Sequence, residues 1–362
     1  MKDYVFILLL LLSACKTPSE PVGISVSYQE HIDTVDFCRA IDVEDMVLVA
    51  ALGANGYSRY NILDSESNPS LELANHIPDI NPQVGDDAAY EVLISGNLND
   101  MAFILDDVDN IMIEYYESGE TETMGHCGNS LLYRSFAVND DIQDTTILFT
   151  LQKHFDVLPA DFIPYSTSIG ARDFYNIEDY GQTFFTEGEC DPLINLDLEA
   201  MEIFYANNLL AATDGALGVK IYKYQRLGSP PNQENHLEFI DDFYIQGGEA
   251  ESLFIINDFV MGGFSNDRGC YIALLDSNGD IVNNLIIANG YSISAIHYNS
   301  GLLALAAGND GILLYEWNES MSVAFKGILD TGNDNYVFDV HVSDGNIYVG
   351  SENGISIYKI GN

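Results

Sequence analysis

"SVSYQEHIDT" occupies Ser25 to Thr34, and "SVAFKGILDT" occupies Ser322 to Thr331. The two share Ser-Val, an aromatic at the fourth place, an aliphatic at the eighth and a final Asp-Thr. The second copy sits inside a repeating layout, whereas the first stands alone at the front of the chain. That difference decides the reading of the fold.

The layout is clearest at the far end. "YVFDVHVSDGNIYVGSENGISIYKI", Tyr336 to Ile360, reads as strand, turn, strand, turn, strand, with period-2 apolar alternation broken by Asp-Gly and Asn-Gly. "ISAIHYNSGLLALAAGNDGILLYEW", Ile293 to Trp317, repeats it. The third strand opens at Gly218, Gly269, Gly311 and Gly354, spaced 51, 42 and 43 residues apart by subtraction. Looser copies begin at Gly56 and Asn110. Another copy is expected at Arg134 to Gln152, with an irregular third strand near "DVLPADFI", Asp156 to Ile163. Repeats of about 40–50 residues with several short strands each indicate a β-propeller. The expected fold is all-β, with seven blades of four strands.

The repeated decapeptide now has a role. "SVAFKGILDT" follows a third strand and supplies the outermost strand of its unit. The last unit ends at "GISIYKIGN" without one. The stretch at Ser25 is therefore expected to pair onto that last unit, closing the ring and covering an open edge.

The front of the chain carries a charged Met1-Lys2-Asp3, then an apolar run from Tyr4 to Leu12 that is too short to span a bilayer. It ends in Leu12-Ser13-Ala14-Cys15, an order that resembles the lipobox of bacterial lipoproteins. The resemblance implies cleavage before Cys15 and lipid attachment at its thiol, with residues 16–23 as a polar tether. The domain plan is then 1–14 signal peptide, 15–23 lipidated Cys and tether, and 24–362 a single propeller. It also implies an exported protein held in the cell envelope of a Gram-negative-like bacterium, in the outer membrane and facing periplasm or cell surface. "MVLVAALGANGYSRYNILD" (Met46 to Asp64), "LLAATDGALGVKIYKY" and "NIYVGSENGISIYKI" further resemble the LVIVD-repeat propellers of bacterial envelope proteins. That family's repeat speaks for the fold and is silent on activity.

Charge narrows the partners. With 13 Lys and Arg against 56 Asp and Glu, the net charge is −43, which repels nucleic acid and anionic headgroups. The membrane partner is thus expected through the lipid, and a ligand, where there is one, is a protein or a glycan. Cys38, Cys127, Cys190 and Cys270 are widely spaced without a CxxC, which speaks against a zinc site and leaves the disulfide pairing open.

No motif for nucleophilic catalysis, metalloprotease chemistry or phosphate cradling occurs. Four clusters remain as candidates. Asp106, Asp107 and Asp109 in "DDVDN" place three carboxylates where Ca²⁺ takes several oxygens at once, against the competing reading of a solvated acidic turn. "DSNGD", Asp276 to Asp280, looks like half a calcium loop and reads as a turn. His297 and His341 hold equivalent places on adjacent inner strands, with Asp339 two residues before His341 and Asp42 read as matching Asp339. These four are channel candidates for an acid–base or metal cluster, or for hydrogen bonding between blades. The irregular, aromatic stretch from Ser166 to Pro192 breaks the repeat and offers Arg172, Tyr175 and Tyr180 as loop residues for ligand contact.

The expected function is a non-catalytic, lipid-anchored binding or scaffold module. The alternatives are a hydrolase or lyase acting on a polysaccharide at the channel mouth, and a calcium-stabilised adhesin. An enzyme requires acids or histidines clustered at one end of the channel, and a binding module requires an aromatic-rimmed patch.

Overall fold

The fold was analysed in a computed structural model. The structure describes residues 24–34, 37–64, 68–78, 89–95, 101–106, 111–116, 121–124, 131–142, 145–154, 167–179, 182–196, 200–229, 232–332 and 335–361.

The chain opens with β1 (Ser25–Asp33). Blade 1 follows as β2 (Ala40–Glu44), β3 (Val47–Ala51), β4 (Tyr57–Leu63) and β5 (Ser70–Ile77). Blade 2 is β6 (Ala89–Ser95), β7 (Met101–Asp106), β8 (Ile111–Tyr115) and β9 (Thr121–Met124). Blade 3 is β10 (Leu131–Ile142), β11 (Thr145–His154), β12 (Thr167–Asp179) and β13 (Gln182–Leu196). Blade 4 is β14 (Ile203–Ala206), β15 (Leu209–Thr213), β16 (Val219–Ser229) and β17 (Asn232–Phe243). Blade 5 is β18 (Ala250–Ile256), β19 (Phe259–Phe264), β20 (Gly269–Leu275) and β21 (Ile281–Ile287). Blade 6 is β22 (Ala295–Asn299), β23 (Leu302–Ala306), β24 (Ile312–Trp317) and β25 (Val323–Leu329). Blade 7 is β26 (Val337–Ser343), β27 (Asn346–Ser351) and β28 (Gly354–Gly361), and its fourth strand is β1. The protein is a seven-bladed β-propeller of four-stranded antiparallel sheets.

The core is divided among the gaps between blades. Each of seven buried apolar clusters joins two neighbouring sheets. Val49 and Tyr57 of blade 1 meet Val92 and Ile104 of blade 2, and so on around to Tyr348 and Ile355 of blade 7 against Leu48 and Ile41 of blade 1. A four-stranded sheet has two faces to cover, and only a ring of sheets covers both faces of every member. Polar groups also cross the gap between blades 1 and 2 away from the channel. Glu114, fully buried on β8, accepts from Tyr57 Oη at 2.6 Å and pairs with Arg59 at 3.3 Å.

Ring closure follows the expectation in detail. β1 runs antiparallel to β28 from Ser25 opposite Gly361 to Asp33 opposite Gly354. The bulge in β1 falls at Gln29, and the bulge in β25 falls at Lys326, the same place in the decapeptide. The aromatic before the bulge crosses to its neighbour in both blades. Tyr28 meets Tyr358 at 5.8 Å and Phe325 meets Tyr315 at 5.2 Å.

Gly354 shows why the ruler is written in glycine. Its φ is +114°, and a Cβ there would stand 2.2 Å from the Ile32 carbonyl oxygen of β1. The counterparts Gly56, Gly218, Gly269 and Gly311 share the positive φ and the close carbonyl of their own fourth strands.

Blade 3 departs from the sequence reading. Its third strand is β12, rather than an irregular segment near Asp156 to Ile163, which lies outside the described residues. Within the stretch from Ser166 to Pro192 the described residues belong to β12 and β13, which pair antiparallel as blade strands rather than forming a loop excursion. Thr167 to Ala171 reads Thr-Ser-Ile-Gly-Ala, in which only Ile169 is a large apolar residue, and the aromatics that follow are interrupted by Arg172, Asp173 and Asn176, so the apolar stripe is weak.

Candidate functional site

The first strand of every blade lines a central channel, each touching the next around the ring. Two rows of side chains on these strands face neighbouring blades. The row nearer the strand starts comprises Ala40, Glu91, Ser135, Glu202, Ser252, Ala295 and Asp339. The deeper row comprises Asp42, Leu93, Ala137, Phe204, Phe254, His297 and His341. These strands belong to separate sheets and are not backbone-paired with one another, and side chains accept N–H groups across the gaps.

In the first row, Asp339 accepts from Ile41 N at 2.8 Å and Glu202 from Leu253 N at 3.1 Å. Ser135 Oγ accepts from Ile203 N at 3.2 Å and donates to Glu91 at 3.0 Å. In the deeper row, Asp42 accepts from Ile94 N at 2.8 Å and His297 Nδ1 from Val342 N at 3.1 Å. A side chain in the first row thus reaches a first-row amide of the next blade, and one in the deeper row reaches a deeper amide.

This pattern corrects one alignment. Asp42 lies third from the end of its strand, as His297 and His341 do, and Asp339 lies fifth. Asp42 therefore shares the histidine row. His341 Nδ1 is 3.4 Å from Asp42 Oδ1, and the His297 and His341 rings lie 3.8 Å apart. The residues on blades 6, 7 and 1 are brought together, and Asp339 stands one row above them. Among the described residues no group of three or more His, Cys, Asp or Glu side chains is arranged to hold a metal ion.

Burial sets the protonation of this channel. It pushes Asp42 up to about 6, Asp339 up to about 7 and Glu91 up to about 8, against the opposing pull of the backbone N–H groups. Glu202 is raised well above the usual range, first by burial and then by Glu91. Burial lowers His297 to about 3, and it lowers His341, with His297 adding to the effect. At neutral pH the floor is thus two uncharged imidazoles. His297, accepting at Nδ1, carries its proton on Nε2.

The mouth is built by bulges. Inner strands β6, β10, β18 and β26 each carry an extra residue one place before the first row: Tyr90, Arg134, Glu251 and Phe338. A bulge re-aims its side chain out of the strand's alternation. Tyr90, Arg134 and Phe338 thereby join Arg39 and Met201 around a cavity of about 410 Å³, with both carboxyl and histidine rows in its walls. Arg39 stacks over Tyr90 at 4.6 Å, and Phe37, Phe338 and Tyr336 extend the aromatic side. Sequence reading missed Glu91, Glu202, Arg39, Tyr90 and Phe338. The signal for Glu91 and Glu202 was an acid five residues before the first turn, as at Asp339. Arg39 and Phe338 were visible only as neighbours of that pattern.

Other candidates fall elsewhere. Arg172 and Tyr175 stand on β12, in register with Leu148 and Thr145 of β11, away from the inner strands. Tyr180 lies outside the described residues, as do Cys15, Cys127, Asp107 and Asp109. Asp106 ends β7. Asp276 uses its own carboxylate to accept from Asn278 N at 2.8 Å and Asp280 N at 3.1 Å, which makes that stretch an Asx turn. Cys38 and Cys270 are free, buried thiols in different gaps.

No protein-family model matches the chain, and no curated protein matches it. Among solved structures it is similar to the computationally designed Ika8 protein, with a TM-score of 0.54 at 10% identity, over 95% of this chain and 100% of that one. It is also similar to a chain of a mitotic checkpoint complex, with a TM-score of 0.56 at 12% identity, over 96% and 94% of the two chains. At such identities the likeness shows the propeller fold alone, a fold commonly used as a rigid scaffold for binding.

Proposed function

We propose that this propeller is a non-catalytic binding module that takes a ligand at the channel mouth and is held in the cell envelope by lipid on Cys15. One observation carries the binding reading. Arg39, Tyr90 and Phe338 gather at the mouth of one cavity, Tyr90 and Phe338 aimed there by bulges and Arg39 by stacking rather than by strand alternation. The acids beneath are occupied: Asp339, Glu202 and Asp42 accept amides of the next blade, as a structural belt does and a free catalytic carboxylate does not. The lipobox order at Leu12 to Cys15 supports the anchor, and the LVIVD-like repeats agree with an envelope location. The partner class is a glycan or a protein, and the mitotic checkpoint chain is one propeller that works inside a complex.

A polysaccharide hydrolase or lyase is the second reading. Its support is Glu91, protonated up to about pH 8 and facing the cavity, as a general acid must be. Glycan and peptide arrays probed with the wild type and with Tyr90→Ala separate the readings. Retained ligand lost in the variant supports the module, and turnover of a bound glycan, lost in Glu91→Gln, supports the enzyme. For the anchor, Cys15→Ser is expected to move the protein from the membrane to the soluble fraction. Continued membrane retention removes the lipid from the proposal.

A further inference from the structure

The channel mouth holds a donor that has no acceptor among the described residues. Arg39 Nε is buried and has no hydrogen-bond partner. The guanidinium instead lies over the Tyr90 ring at 4.6 Å, with Phe37 and Phe338 each at 5.9 Å. Among the described residues it has no carboxylate partner, in a chain with 56 acidic residues. Stacking uses the flat face of a guanidinium and leaves its edge free, and that edge presents N–H groups in the fork that matches two carboxylate oxygens. A buried N–H without an acceptor is costly to keep. Nε itself is closed off from solvent, so Arg39 lines the cavity through its two Nη groups, which have no acceptor among the described residues, and the acceptor for that end-on fork is one that arrives with a ligand.

The remaining walls describe the rest of that ligand. The cavity, at about 410 Å³, has the size of a small-molecule site. Below Arg39 it is ringed by the carboxyl groups of Glu91, Glu202 and Asp339 and the hydroxyls of Ser252 and Ser294. Glu91 and Glu202, from different inner strands, each bond the fold through one oxygen and keep the other, which complements a ring bearing hydroxyls. Tyr90 and Phe338 offer flat faces for its C–H edges. Arg134, turned inward by its bulge, adds a second positive group to the same wall. Asp339, Ser252 and Ser294 are already bonded to backbone groups, so the wall groups that remain for a ligand hydroxyl are the second carboxyl oxygens of Glu91 and Glu202.

We infer that the channel mouth binds a uronic acid unit, with its carboxylate in the fork of Arg39 and its ring against Tyr90 and Phe338. The inference rests on the binding-module reading and narrows its ligand to an acidic sugar, whose carboxylate is held by the local positive charge of Arg39 and Arg134 against the repulsion of a chain at −43.

The test is calorimetric titration of the full chain with trigalacturonate, its methyl ester, galacturonate monomer and a neutral tripeptide with a free carboxylate. The acid is expected to bind about tenfold or more tighter than the ester, because esterification removes a charge-assisted fork. Arg39→Gln is expected to abolish that preference, and Arg39→Lys to restore only part of it, since an ammonium has charge but no fork. Trimer binding with no monomer binding assigns the site to a chain end of an acidic polysaccharide, and equal binding of the monomer assigns it to the free sugar. Equal affinity for acid and ester, or no binding of either, overturns the inference. Tripeptide binding without uronate binding also overturns it while leaving the binding module standing. The comparison of acid with ester on the wild type needs no variant, so a misfolded Arg39→Gln does not blunt the result.

Discussion

Blades 6 and 7 have the same geometry and different histories. Blade 6 is one continuous run from Ala295 to Leu329, and blade 7 takes its first three strands from the end of the chain and its fourth from the beginning. The bulge falls at the same place of the decapeptide in both, and the same aromatic pair spans the third and fourth strands. The position of a fourth strand is thus written in its own residues rather than in the turn that leads to it. A strand delivered from more than 300 residues away finds the register of one delivered by a short loop.

Cutting the connection tests this comparison hardest. Deleting residues 16–34 is expected to remove Ile24, Val26 and Ile32 from the gaps they fill, together with a ladder of backbone hydrogen bonds. Three half-buried aliphatics, each worth about half of the roughly 1.5–3 kcal/mol of a fully buried one, together with the lost ladder make the loss a large share of the total stability. The melting temperature should fall by about 10 °C or more. A separate peptide of residues 24–34 should restore part of that loss, and no fall on deletion would mean that the ring has another seam.

Glycine substitutions sharpen it. Gly354→Ala and Gly311→Ala each place a Cβ against a fourth-strand carbonyl at positive φ. Both should cost about 2–4 kcal/mol in denaturant unfolding. Equal costs mean that the two blades are energetically alike. A much smaller cost for Gly354→Ala means that β1 yields more readily than β25.

The pH response reports on the belt. Asp339 and Glu91 titrate higher in the fold than in the unfolded chain, so between about pH 4 and pH 8 the native state holds more protons. Their share of stability is complete below pH 4 and is lost as pH rises through about 7 and 8. His297 has the opposite sign: its share is present above its unfolded pKa and fades as pH falls from about 6.5 toward 3. Thermal melting across pH 5–8 should therefore decline toward the alkaline end, by about 3–5 °C more in the wild type than in Glu91→Gln. An identical slope in the variant would remove Glu91 from the buried belt.

The smallest effect is expected at Asp276. Its carboxylate closes an exposed turn, so Asp276→Ala should cost about 0.5–1 kcal/mol and be indifferent to calcium. Melting in calcium and in EDTA extends the same question to Asp106, Asp107 and Asp109. A calcium-dependent shift that disappears in Asp107→Asn would establish a cation site there.

Much of this architecture was legible because it is local and repeated. The Gly at the start of each third strand, the Asp-Gly and Asn-Gly turns and the copied decapeptide all answer to backbone demands within a few residues of themselves. Blade 3 was harder to read because its third strand opens with Thr, Ser, Gly and Ala around the single large apolar Ile169 and breaks its later aromatics with Arg172, Asp173 and Asn176, which leaves a weak stripe. His297 and His341 were found from sequence because equivalent positions carried the same residue. Glu91 and Glu202 were missed because their copies of the position are filled by Ser135, Ser252, Ala40 and Ala295 in other blades.

By itself, then, the sequence determined the all-β fold, the count of seven repeats and the strand that shuts the ring, since each is a matter of turns, alternation and short-range copying. Only the tertiary structure decided which side chains share a row of the channel. It also decided that Asp42 joins the histidines, and that Tyr90, Arg134 and Phe338 turn to the mouth beside Arg39. Those facts depend on bulges and on how seven sheets lean against one another. A single extra residue in a strand leaves its composition almost unchanged and yet redirects the side chain that meets a ligand.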